Sequence, residues 1–99
     1  MAPWTNRPFV AEVPNLLAER DLTVSALARD VGVTQPYLSR VLRQVNYKTP
    51  SADLARRVAV ALGLPPDYFP EYREGVVIEQ VKRNARLRDR LYIQLHKSK

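Results

Sequence analysis

The sequence predicts an all-α fold, a compact five-helix domain followed by a C-terminal helical extension. Apolar residues recur three and four positions apart over most of the 99 residues, which is the spacing of amphipathic helices. No segment shows the strict alternation of a half-buried strand, and no internal repeat or low-complexity tract occurs. A hydrophobic fraction of 45% is ordinary for one globular domain of this length.

The first predicted helix covers about residues 9–20 and follows a predicted flexible N-terminal arm, residues 1–8. Pro14 leaves two alternatives, because proline is tolerated in a first turn but disrupts a helix interior. Either the helix starts later, or a longer helix is kinked at this position. Its apolar face comprises Phe9, Val13, Leu16 and Leu17.

Two short helices joined by a tight turn are predicted next, at about residues 24–31 and 35–43. Thr23 and Thr34 precede them and can cap their first turns. Gly32 suits the left-handed backbone conformation that ends many helices, since a Cβ would be strained there. The inward faces comprise apolar residues: Leu27, Ala28, Val31, Leu38, Val41 and Leu42.

The outer face of the second of these helices carries amide, hydroxyl and guanidinium groups and no acid. Its positions are Gln35, Pro36, Tyr37, Ser39, Arg40 and Arg43. These groups can hydrogen-bond to base edges and phosphates. The pattern is typical of a DNA-binding helix-turn-helix, although a two-helix corner in any α protein shares part of it.

A fourth helix is predicted after a polar loop at residues 44–49. Pro50 and Ser51 open this helix and Gly63 ends it. Its inner face is predicted to comprise Leu54, Val58, Ala61 and Leu62.

The remaining sequence predicts a short helical turn at residues 67–73, whose Tyr68 and Phe69 cover the core. Beyond Gly75 the helical spacing continues as two helices broken near Asn84.

The chain is basic, with a formal net charge of +6 and a sequence pI of about 10.1. Residues 1–75 contain 9 Lys and Arg against 8 Asp and Glu, whereas residues 76–99 contain 7 against 2. The C-terminal segment therefore carries a net charge of +5. A polyanionic partner is the simple inference, although basic surfaces also occur for solubility alone.

Several function classes find little support in the sequence. There is no cysteine and one histidine, His96, so we expect no metal site. The chain has three glycines and no phosphate-binding loop, and Ser39 and Ser51 have no neighbouring histidine, so we expect neither a cofactor nor an enzyme. Without cysteine, an apolar run of about 20 residues or a secretory signal, we expect a cytoplasmic protein.

Residues 9 to about 73 resemble the phage repressor/Cro family of helix-turn-helix regulators, also called the xenobiotic-response-element family. The resemblance is carried by LARDVGVTQPYLSRVL, NYKTPSADLARRVAVALGL and PDYFPEYRE, in that order. It implies a repressor-like DNA-binding domain at residues 9–74 whose third helix enters the major groove of double-stranded DNA. It also implies that the protein acts in a bacterial cell or phage-infected host.

The resemblance also implies residue roles. The base-reading positions are Gln35, Pro36, Ser39 and Arg40. The DNA-backbone positions are Thr23, Thr34, Tyr37, Arg43, Asn46, Tyr47 and Lys48. Two departures affect readout: Val24 replaces a frequent glutamine that braces the base-reading one, and Pro36 offers only apolar contact. Alternatively, Gln35 is an ordinary helix-surface residue, and Arg40 is a surface charge paired with Asp30 or Asp53.

The predicted extension at residues 75–99 is basic and amphipathic. We expect it to be a dimerisation element, because a small domain exposes such an apolar stripe at a cost in solubility. The stripe comprises Val77, Ile78, Val81, Leu87, Leu91, Tyr92 and Leu95. In the alternative, the extension folds back onto the first and fifth helices of its own chain, and its basic residues contact phosphates or simply face solvent.

The resulting expectation is a sequence-specific repressor that binds a palindromic operator as a homodimer. The alternative is an antitoxin whose C-terminal extension binds a toxin partner. Association of that extension with a membrane surface is less favoured.

Overall fold

The computed structural model describes residues 3–43 and 49–97, and every regular element in these ranges is an α-helix. The helices are α1 (Phe9–Glu19), α2 (Val24–Val31), α3 (Gln35–Leu42), α4 (Ala52–Ala61), α5 (Pro70–Arg83) and α6 (Ala85–Lys97). α3 packs against α1 and α2, α4 packs against α2 and α5, and α6 packs against α5. The predicted all-α fold with a C-terminal helical extension is confirmed.

α1 begins at Phe9, so Pro14 lies inside the helix on its exposed side. The alternative of a later helix start is wrong. The first turn of α1 has no local side-chain cap. Instead, the Phe9 amide donates to both carboxylate oxygens of Glu71 at 3.2 Å. Long-range capping and burial of one face maintain the helix despite the proline.

The core lies where the faces of α1–α4 meet and is closed by Phe69. The rings of Phe9 and Phe69 meet edge to face, with centroids 5.0 Å apart. The largest fully buried side chains are Phe9, Phe69, Leu27, Leu38, Val13 and Val58. Burial of such side chains is the main favourable contribution to folding.

The prediction for α4 is right in extent and wrong at one core position. Ser51 caps the helix, accepting from the Leu54 amide at 3.1 Å. Leu54, Val58 and Leu62 are buried as expected. Ala61 is exposed, because the helical register turns it to solvent and directs Ala55 and Ala59 to the core.

α5 is longer than the predicted helical turn at residues 67–73. Phe69 is its N-cap, Pro70 occupies its first turn, and the helix continues without interruption to Arg83. The predicted domain boundary between residues 74 and 75 therefore falls inside a helix. The predicted break near Asn84 is correct: the Asn84 side chain accepts from the Leu87 amide at 3.0 Å and starts α6.

The described part of the N-terminal segment is attached to the domain, which differs from the predicted flexible arm at residues 1–8. Thr5 is buried, and its amide donates to the Tyr68 carbonyl at 3.1 Å. Arg73 donates to the carbonyls of Thr5, Asp67 and Tyr68 at 2.7–2.8 Å. Its guanidinium also lies 4.8 Å from the centroid of the Trp4 ring. These contacts require the folded chain and have no local sequence signal.

α6 extends from the domain rather than completing its core. None of its residues is buried. The Cα radius of gyration is 15.8 Å, against about 13 Å for a compact chain of this length. Of the alternative in which the extension folds onto the first and fifth helices, the packing of α6 against α5 is present.

Candidate nucleic-acid interface

The turn between α2 and α3 fixes the angle at which α3 is presented. Gly32 has a φ of +79°, the left-handed conformation predicted for it. The Val33 amide donates to the Ala28 carbonyl at 3.0 Å, and the Gly32 amide donates to the Arg29 carbonyl at 3.3 Å. This pair of bonds is a Schellman ending, which satisfies carbonyls at the end of α2 and reverses the chain.

α3 buries one face and exposes the opposite one. Leu38 and Val41 are buried against the core. Gln35, Pro36, Tyr37, Arg40 and Arg43 are exposed, and Ser39 is partly exposed. The structure therefore places the predicted base-reading residues, Gln35, Pro36, Ser39 and Arg40, on one accessible helix surface.

Gln35 and Ser39 are joined by a hydrogen bond. The side-chain nitrogen of Gln35 donates to the Ser39 hydroxyl at 2.6 Å. The carbonyl oxygen of Gln35 and its second N–H remain available on the outer face. Sequence reasoning missed this pair, although an amide and a hydroxyl four residues apart on a helix are natural partners.

The Arg40 guanidinium has no ion-pair or hydrogen-bond partner within residues 3–43 and 49–97. Asp53 instead pairs with Arg56 at 3.0 Å and with Arg57 at 2.9 Å. The alternative in which Arg40 pairs with Asp30 or Asp53 is therefore wrong for this structure. None of the five guanidinium donors of Arg40 is used by another residue in these two ranges.

Both predicted N-caps are present. The Thr23 hydroxyl accepts from the Ala26 amide at 3.0 Å, and the Thr34 hydroxyl accepts from the Tyr37 amide at 3.2 Å. Each hydroxyl keeps its own proton as a donor. Neither α2 nor α3 has an acid in its first turn, so the positive ends of both helix dipoles favour a nearby anion.

The other predicted backbone-contacting residues divide into two groups. Tyr37 and Arg43 are exposed on the surface of the structure. Tyr37 also lines a shallow cavity of about 240 Å³ with Val33 and Leu54. The predicted contacts of Asn46, Tyr47 and Lys48 lie outside the described residues.

The predicted dimerisation stripe is accessible in the monomer. Four of its seven residues are more than half exposed, from Ile78 at 53% to Leu95 at 69%. Its other three residues, Val81, Leu87 and Leu91, are partly buried. Arg73, Glu74, Val77 and Ile78 line a largely apolar groove of about 410 Å³ on α5.

The charges of the two C-terminal helices are only partly paired. Arg83 pairs with Glu79 at 2.8 Å, and Arg88 pairs with Asp89 at 2.9 Å. The hydrogen bond to Asp89 raises the pKa of Arg88. Lys82, Arg86 and Arg90 have no ion-pair partner within the described ranges, and they leave a basic surface beside the apolar stripe.

Neither a metal-binding cluster nor a membrane-spanning helix occurs among the described residues. No three potential metal-ligating side chains come together there. None of the described helices is long and apolar enough to cross a membrane.

The capped helix pair, the Schellman turn and the acid-free outer face of α3 define a DNA-binding helix-turn-helix protein. The sequence model of the helix-turn-helix family matches residues 15–69, from the middle of α1 to the residue before α5. This match spans more than half of the chain. The chain therefore belongs to the helix-turn-helix family and is a phage repressor/Cro-like regulator. The family comprises DNA-binding regulators rather than enzymes. Searches of curated proteins and solved structures return no match.

Proposed function

We propose that this helix-turn-helix regulator is a repressor that binds a palindromic operator as a homodimer. The observation that carries the proposal is the exposed outer surface of α3, which presents the Gln35–Ser39 pair and an Arg40 guanidinium with no partner among the described residues. A bound dimer would exclude RNA polymerase from an overlapping promoter.

In the proposed complex, the N-terminal part of α3 lies in the major groove. Arg40 presents two parallel donors to guanine O6 and N7, and the Gln35 amide pairs with adenine N6 and N7. Pro36 contacts a thymine methyl. Thr23, Thr34, Tyr37 and Arg43 hold the phosphate backbone and set the register, together with Asn46, Tyr47 and Lys48.

Support for the homodimer comes from the two C-terminal helices. They carry exposed apolar residues that the monomer leaves unburied, beside an apolar groove on α5. Glu74 borders that groove, and Arg86 and Arg90 offer unpaired cations on α6. If two copies packed against each other through these helices, the stripe would be buried and Glu74 of one copy would lie near Arg86 and Arg90 of the other. A twofold dimer would then place its recognition helices about 34 Å apart, one helical turn of DNA.

Selection of bound sequences from random duplex DNA tests the DNA-binding part of the proposal. We expect an inverted repeat with half-sites one helical turn apart. We also expect affinity to fall steeply with salt, because each neutralised phosphate releases counterions. Equal, weak binding of all duplexes would refute sequence-specific recognition. Enrichment of a single half-site by a protein that stays monomeric would refute the dimer alone.

The accessible stripe also favours a second candidate function, an antitoxin whose α5–α6 surface covers a toxin while the helix-turn-helix represses the shared operon. Co-expression with the product of a neighbouring gene distinguishes the two. A stable complex that buries the stripe would favour the antitoxin, whereas a homodimer that ignores that product favours the simple repressor.

A further inference from the structure

The N-terminal half of α3 holds a hydrogen-bonded side-chain pair, Gln35 and Ser39. We propose that Ser39 is a positioning residue: its hydroxyl fixes the orientation of the Gln35 amide and thereby makes that position selective for adenine. The inference rests on the proposed function, since it concerns how the same helix surface reads DNA.

The geometry separates the roles of the two residues. Gln35 is the first residue of α3 and is exposed, whereas Ser39 lies one turn later and is partly covered. The 2.6 Å bond uses one of the two N–H groups of Gln35 and leaves the other N–H beside the carbonyl oxygen. Val24, at the start of α2, has no polar group that could orient the amide instead.

The fixed amide matches one purine better than the other. Adenine presents the N6 donor and the N7 acceptor, which require one acceptor and one donor from the protein. Guanine presents two acceptors, O6 and N7, which favour two donors. With Ser39 holding one N–H, the Gln35 carbonyl oxygen remains on the outer face, where it would oppose guanine O6.

Removal of the hydroxyl would release this constraint. The amide could then turn over and offer both N–H groups or neither, so recognition would broaden rather than simply weaken. A Ser39 that contacted DNA directly would behave differently, because its loss would affect a base pair other than the one read by Gln35.

Selection from random duplex DNA is carried out with five proteins: the unmodified chain, Ser39→Ala, Ser39→Thr, Gln35→Ala and the double variant Gln35→Ala/Ser39→Ala. We expect the unmodified chain to prefer adenine at one position of each half-site. We expect Ser39→Ala to reduce that preference about threefold to tenfold, the value of one hydrogen bond. Ser39→Thr keeps a hydroxyl and should retain the preference, and the double variant should match Gln35→Ala.

The position read by Arg40 is the internal control, since its preference should persist in every variant. Circular dichroism melting shows whether each variant folds. Unchanged adenine preference in Ser39→Ala, or a change at another position, would overturn the inference and leave the proposed function intact. Failure of the unmodified chain to select any sequence would refute the proposed function and this inference with it.

Discussion

Gly75 of α5 lies directly against Ala52 of α4. A Cβ atom built on Gly75 would lie 2.6 Å from the Ala52 Cβ, closer than real Cβ atoms approach. Hydrogen at this position therefore lets the two helices meet. Since α5 carries the residues that lead into the extension, this contact also determines where the extension leaves the domain.

We expect Gly75→Ala to lower the free energy of unfolding by about 1–3 kcal/mol, the usual cost of overpacking. At an exposed helix position the same change would stabilise by about 1 kcal/mol through helix propensity. Here the clash should dominate, because both Cβ atoms are fixed to backbone. Urea denaturation measures the difference.

Ala52→Gly provides the matched control for Gly75→Ala. The double variant should recover part of the lost stability, because it restores the space between the helices. A Gly75→Ala protein more stable than the unmodified chain would contradict the close contact.

Arg40→Ala should strongly reduce discrimination at one base position of each half-site and leave the fold intact. A good bidentate contact to guanine discriminates by about 1–3 kcal/mol, so preference there should fall roughly tenfold to a hundredfold. The side chain has no partner among the described residues, so its removal should leave the free energy of unfolding nearly unchanged. Binding is measured against operators substituted at each position.

Arg29→Ala is the control for the charge change at Arg40. Arg29 is also exposed, but it lies in α2. This variant should weaken binding to all sequences by a similar, small factor. If Arg40→Ala selected the same operator as the unmodified chain, Arg40 would have no part in base recognition.

The helix-turn-helix could be predicted closely from sequence because its signals are local. Thr23, Gly32 and Thr34 each act on backbone within a few residues, and the structure places all three as predicted. The exposed outer surface of α3 followed from the same helical register. Even the missed Gln35–Ser39 bond lies within one turn of a single helix.

The start and length of α5 could not be predicted in this way. Gly75 resembles a helix end in sequence, but its role is steric and depends on Ala52. The position of Thr5 depends on Arg73, 68 residues later in the chain. Such contacts exist only after folding, so no local pattern predicts them.

Tyr68 should make stability depend on pH in the alkaline range. Its hydroxyl donates to Glu12 at 2.6 Å, and this bond, with burial, raises the pKa of Tyr68 above its usual value of 10.0. The contribution is therefore fully present below about pH 10 and is lost as the pH rises through the folded-state value.

Tyr68→Phe should lower the free energy of unfolding by about 1 kcal/mol at pH 7, the value of a typical hydrogen bond. The difference from the unmodified chain should shrink above pH 10. Tyr37→Phe is the control, since Tyr37 is 42% exposed, lies outside the apolar stripe and should change stability in the absence of DNA little. A pH-independent difference between the Tyr68 variant and the unmodified chain would contradict the assigned hydrogen bond.

The dimer proposal predicts that a charge within the apolar stripe separates the protomers. Val77 is 58% exposed on α5 and lines the groove, so Val77→Asp should barely affect folding of the monomer. Within a dimer the carboxylate would be buried without a partner, which is strongly unfavourable. We expect light scattering to change from dimer to monomer at micromolar concentration, and affinity for the full operator to fall at least about tenfold while affinity for a half-site is kept.

Val60→Asp is the matched control, because Val60 is 52% exposed on α4, outside the stripe. An unmodified chain that is monomeric at this concentration, or a Val77→Asp variant that remains dimeric, would exclude the stripe as the interface between protomers.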